Sequence, residues 1–134
     1  MHDILIVDDS RAMRNFLRKA LAMTALPIGC VHEAANGQEA LTLLDQQNVH
    51  LIFSDINMPV MDGVAFVTEL ARRDLTRRIP VVVVSTDSSA ERVEQILALG
   101  ARGYIAKPFS PETIEREVMR LLEADPDWIQ PSVA

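Results

Sequence analysis

Three carboxylates, a hydroxyl and an amine share one feature: each lies at the end of a short run of aliphatic, largely β-branched residues. Asp8 and Asp9 follow Ile4–Val7, Asp55 comes just after Val49–Phe53, Ser85 follows Val81–Val84, and Lys107 follows Gly103–Ala106. If the runs are strands of one parallel sheet, their C-terminal ends open on a common edge, where α/β folds bind ligands. The five groups then meet on one rim. At about 5 Å and an effective dielectric near 20, each pair of like charges repels by roughly 3 kcal/mol. Three carboxylates so placed require a counter-ion. Hard oxygen ligands without His or Cys beside them favour Mg2+. Ser85 and Lys107 add a hydrogen-bond donor and a positive charge suited to the oxygens of a phosphoryl group. Asp55, the central carboxylate, is then the nucleophile that would form an acyl phosphate.

Each group alone has a plainer reading. Asp-Asp after a strand is commonly a solvated loop or a helix N-cap, and a lone Asp or a Lys-Pro says still less. The conjunction carries the argument: five groups, each at the end of an expected strand.

The positioning elements follow from two alternating periodicities. Ile4–Val7, Val49–Phe53 and Val81–Val84 are continuous apolar runs, with weaker ones at Cys30–Ala34 and Gly103–Ala106. Runs without polar alternation mark strands buried on both faces. Between them lie helical patterns. Met13, Phe16, Leu17, Ala20 and Leu21 share one helical face, as do Val64, Val67, Leu70 and Ala71. Ala40, Leu41 and Leu44 repeat the spacing, then Val93, Ile96 and Leu97, and finally Ile114, Val118, Leu121 and Leu122. Ser10, Ser88 or Ser89, and Ser110-Pro111 can open helices, and Gly100 can close one. Asn36-Gly37 and Asp62-Gly63 sit at loop-to-helix turns, where positive φ is cheap for Gly. Five βα units predict a doubly wound α/β domain with a five-stranded parallel sheet and helices on both faces.

Composition narrows the function classes. The 134 residues suit one domain, 49% are hydrophobic, and the net charge is −6. That charge argues against nucleic-acid binding. Arg72–Arg73 and Arg77–Arg78 flank an expected turn and read as helix-end charges. Cys30 is the only cysteine, so no internal disulfide is available. Neither a signal-peptide pattern nor an apolar stretch near the roughly 18 residues of a membrane span is present, and a cytoplasmic location is expected. His32 and His50 read as structural, and the methionines at helical spacing as core. Residues 1–123 form the expected domain and 124–134 a tail, which Trp128 is expected to dock back on the domain, the alternative being that it engages a partner.

Together, Ile4-Leu5-Ile6-Val7-Asp8-Asp9-Ser10, Asp55-Ile56-Asn57-Met58-Pro59 with Asp62-Gly63, Val83-Val84-Ser85 and Gly100–Phe109 resemble the receiver domain of two-component response regulators. The resemblance covers about residues 3–123. It implies a flavodoxin-like (βα)5 fold with strand order 2-1-3-4-5. It also implies that Asp55 accepts a phosphoryl group from a histidine kinase or phosphotransfer protein. Asp9 and Asp55 would bind Mg2+ directly, Asp8 mainly through water, and Asn57 through its backbone carbonyl. Ser85 and Tyr104 would be a switch pair, with Asn57 and Asp87 at positions that tune the phosphoryl lifetime. A downstream protein would bind the face made by the fourth helix, fifth strand and fifth helix. Such a protein is not a turnover enzyme beyond phosphoryl uptake and self-dephosphorylation, and is a monomer or a weak phosphorylation-dependent dimer. Thr86 stands where the family usually has Ala or Gly.

Few residues follow the expected fifth helix, so output by protein contact is expected, of the chemotaxis type or as a phosphorelay intermediate. A receiver fragment of a longer regulator would read the same way. The alternative of a Mg2+-dependent phosphohydrolase with an Asp nucleophile needs a second acid two residues on, and that position holds Asn57.

Overall fold

A computed structural model describes residues 2–124. Five strands alternate with five helices: β1 (His2–Val7), α1 (Arg11–Ala22), β2 (Ile28–Ala34), α2 (Gly37–Leu44), β3 (Leu51–Ser54), α3 (Gly63–Arg72), β4 (Val81–Ser85), α4 (Ala90–Leu99), β5 (Gly103–Ala106) and α5 (Pro111–Ala124). All pairings are parallel, and the sheet order is β2-β1-β3-β4-β5. Fold class and order agree with expectation. Trp128 and nearly all of the expected tail lie outside the described residues.

The strands alternate between two cores. Leu5, Val7, Ile52, Val81 and Val83 pack with Ala40, Leu41, Phe66, Val67, Leu70 and Ile96, so α2, α3 and α4 cover one face. Ile4, Ile6, Phe53, Val82, Val84 and Ile105 pack with Leu17, Leu21, Ile114, Val118 and Leu121, so α1 and α5 cover the other. This is why the strand runs lack polar alternation: both of their faces are covered. Burying each Val, Leu, Ile or Phe among them contributes about 1.5–3 kcal/mol. The sheet is therefore a rigid base for whatever its rim carries.

The caps form where the sequence places them. Ser10, Asn36, Asp62 and Ser89 each accept a backbone N–H of the first turn that follows. Gly100 ends α4 at φ 121°, a conformation that side chains disfavour.

The glycines at the two loop-to-helix turns depart from the expectation. Gly37 and Gly63 do not take positive φ, and Gly100 is the only glycine that does among the described residues. What they supply is space. A Cβ on Gly63 would lie 2.2 Å from the Asp55 main-chain oxygen, and one on Gly37 would lie 2.8 Å from Met61 Cγ. In the loop between β3 and α3 the left-handed conformation falls instead on Val60, at φ 67°.

Candidate functional site

The hydrogen-bond ladder runs one residue past the strand ends, and those extra bonds set the site. The Asp8 N–H donates to Ala34 O at 3.0 Å and the Asp55 N–H to Val7 O at 2.9 Å. At the other side of the rim the Lys107 N–H donates to Ser85 O at 2.8 Å. Asp8, Asp55, Ser85 and Lys107 are thus placed by the sheet rather than by flexible loops, and Asp9 extends outward beside them.

Carboxylate oxygens of Asp8, Asp9 and Asp55 come within 4.8 Å of one another, the one such cluster among the described residues able to hold a metal ion. Lys107 Nζ lies 3.1 Å from Asp8 Oδ2 and 3.3 Å from Asp55 Oδ2. The remaining oxygens are also bonded: Asp8 Oδ1 accepts the Ser10 N–H at 2.9 Å, and Asp55 Oδ1 the Ile56 N–H at 2.7 Å. Asp8 is 1% exposed and Asp55 8%, so both charges sit where solvent screens them weakly. Burial pushes the Asp55 carboxyl up from its ordinary value; Lys107 opposes the rise and Asp8 adds to it. Three carboxylates and one ammonium leave two negative charges, which one divalent cation matches. An all-oxygen donor set of this size fits a hard cation.

Ser85 is fully buried, and its Oγ accepts the Asp87 N–H at 3.1 Å. Tyr104 is half-buried and donates its O–H to the Asp87 main-chain oxygen. Burial pushes the Tyr104 phenol up, and a hydrogen bond with Ser85 opposes that most strongly. The two expected switch residues are therefore neighbours, joined through one backbone segment. The Asp87 carboxylate turns to the start of α4, accepting from Ser89 N–H at 3.2 Å, Ser89 O–H at 2.9 Å and Arg92 Nε at 3.2 Å. These contacts, Ser89 first, hold its carboxyl below the usual range. Asn57 is exposed two residues past Asp55, and Thr86 is exposed beside Ser85. The Lys107–Pro108 peptide is cis.

Two features of the rim were not read from the sequence. Val60 closes a three-residue turn in which the Met61 N–H donates to Pro59 O at 2.7 Å. Arg14, on α1, reaches the Asp8 main-chain oxygen; a basic residue on an amphipathic helix gives no sign of that in sequence. His50 proves structural as expected, its Nδ1 accepting the Asp3 N–H at 2.9 Å.

Residues 4–119 match the response regulator receiver domain family. The chain belongs to that family. The receiver is 32% identical over 120 residues to a chemotaxis protein CheY homolog of Campylobacter jejuni, covering 89% of this chain and 91% of the relative. Chemotaxis response regulator CheY4 of Vibrio cholerae superposes with TM-score 0.80 at 34% identity, over 91% of this chain and 99% of that one. The CheX-CheY-BeF3-Mg+2 complex of Borrelia burgdorferi gives TM-score 0.82 at 26% identity, covering 90% and 89%. The receiver is accordingly a switch module of two-component signalling. Among the described residues no helix is long and apolar enough to cross a membrane.

Proposed function

We propose that this receiver takes a phosphoryl group onto Asp55, from a histidine kinase or phosphotransfer protein, and signals by protein contact. The observation that carries this reading is the convergence of Asp8, Asp9 and Asp55 on one side of Lys107 at the rim. An Asp55 oxygen attacks phosphorus, an acyl phosphate bond forms, and the donor's P–N or P–O bond breaks with its electron pair leaving on the donor. Asp9 and Asp55 would hold Mg2+ directly, with Asp8 contributing mainly through water and Asn57 through its backbone carbonyl. When bound, the cation draws off charge from the transferring phosphoryl oxygens. Lys107 then exchanges its contact with Asp55 for one with the phosphate, and the Ser85 hydroxyl turns toward it.

Turning Ser85 withdraws the acceptor from the Asp87 N–H, and the segment that also receives Tyr104 must adjust. Val93, Leu97, Arg102, Gly103, Tyr104 and Arg120 line a shallow groove across α4, β5 and α5. That groove, with Leu97 44% exposed, is the surface we assign to the downstream partner. A chemotaxis-type regulator is the favoured role, in keeping with the relatives that match along nearly their whole length.

The discriminating experiment compares uptake with turnover. With acetyl phosphate and Mg2+ the receiver should take up one phosphoryl group per chain. Sustained hydrolysis of a generic phosphomonoester would identify a phosphohydrolase instead and overturn the reading.

A further inference from the structure

Arg14 lies one turn into α1, yet its side chain is only 14% exposed. Its Nη1 donates to the main-chain oxygen of Asp8 at 2.6 Å, and its Nε donates to Glu33 Oε1 on β2 at 2.8 Å. The other Glu33 oxygen accepts from Arg18 Nη2 at 2.6 Å, and that same nitrogen donates to Val31 O at 3.2 Å. Arg18 therefore braces Glu33 without touching Asp8. Hydrogen bonds from both arginines hold the Glu33 carboxyl below its ordinary value, that from Arg18 most strongly. The planar guanidinium is suited to this double hold, because two of its donors point along fixed directions at once.

The carbonyl that Arg14 grips belongs to the peptide joining Asp8 to Asp9. Asp8 is fixed independently, by its N–H to Ala34 O, by Ser10 and by Lys107. Asp9 is exposed, and its carboxylate hangs from the plane of that peptide. Rotating the plane would move the Asp9 oxygens relative to those of Asp8 and Asp55, which now lie within 4.8 Å. The geometry assigns Arg14 as the positioning residue that aims Asp9 at the cation site, with Glu33 as its brace. The inference rests on the Mg2+ reading of the rim given above. Arg14 thereby gives α1 a part in the site.

The test is calorimetric titration of Mg2+ into the full chain, for wild type, Arg14→Gln, Arg14→Lys and Arg18→Gln. The melting transition of each in chelator shows that it is folded. Arg14→Gln should weaken Mg2+ binding about tenfold or more, as loss of a group orienting a metal ligand does. Arg14→Lys keeps a charge for Glu33 but lacks the fork, and should weaken it nearly as much; it also stands in should Arg14→Gln fail to fold. Arg18→Gln loses a Glu33 contact of the same kind and should bind Mg2+ within about twofold of wild type, since it leaves the Asp8 carbonyl held. Equal Mg2+ affinity for Arg14→Gln or Arg14→Lys and wild type would overturn the assignment, as would an equal loss in Arg18→Gln. A wild type that binds no Mg2+ would overturn the reading of the rim itself, a result distinct from either.

Discussion

The α-carbon of Gly63 sits so close to Asp55 that a single methyl group there would stand 2.2 Å from the Asp55 main-chain oxygen. Gly63 also donates its N–H to Ile56 O at 2.7 Å, so the first residue of α3 is locked against the backbone of Asp55 and Ile56. Gly63→Ala must push either α3 or the Asp55–Ile56 peptide aside. The expected cost is about 2–3 kcal/mol of stability, typical of overpacking a tight site. Phosphoryl uptake should fall as well, because the displaced peptide carries the Asp55 side chain. Denaturant unfolding and acetyl phosphate labelling of the same variant check both.

Val60 offers the opposite opportunity. A β-branched residue at φ 67° is strained, and at 84% exposure this side chain packs on little. Asn tolerates the left-handed region better, so Val60→Asn should gain about 1 kcal/mol, or roughly 4 °C in melting temperature. A melting curve that is unchanged or lowered would show that the turn is not strained.

Lys107 keeps two nearly buried carboxylates in balance. Lys107→Ala in chelator should destabilise the fold by about 3 kcal/mol, the usual result of removing one partner of a buried pair. Saturating Mg2+ binds the folded state alone and should return most of that loss. Thermal melts with and without Mg2+ measure it; a loss that Mg2+ does not reduce would place the cation elsewhere. Partner affinity should also cease to respond to phosphorylation in this variant.

The Glu33 carboxyl is held below its ordinary value by Arg18 and Arg14. A group whose folded pKa is depressed contributes stability above its unfolded pKa, near 4.5, and loses that contribution as pH falls through the folded value. Glu33→Gln should therefore melt lower than wild type at about pH 6 to 7, with the gap narrowing below about pH 4. The pair is partly exposed, so the gap at neutral pH should be modest and should shrink with added salt.

What the sequence revealed and what it hid divide along physical lines. Strand runs such as Val81–Val84 are legible because burial on both faces of a sheet leaves a short continuous β-branched run, and helix faces such as Leu17, Ala20 and Leu21 because one-sided burial leaves a helical spacing. The rim acids follow from them, since a parallel sheet fixes which end of each strand gathers the ligands. Strand starts were less legible: β1 begins at His2 and β2 at Ile28, where polar or exposed residues interrupt the apolar pattern. The clearance that Gly37 and Gly63 supply is not legible, because a glycine in sequence does not say whether it serves torsion or clearance. Arg14 stayed hidden for a related reason. Its hydrogen bond is to a backbone oxygen, and a backbone acceptor has no letter in the sequence.

In the function proposed, Asp55 is the phosphoacceptor and the acidic rim works with Mg2+. Intact-mass and peptide analysis of the receiver after incubation with acetyl phosphate tests it most directly. One added phosphoryl group is expected, located on Asp55, present with Mg2+, nearly absent in chelator and absent in Asp55→Asn. Unchanged labelling of Asp55→Asn, or labelling that ignores Mg2+, would contradict it.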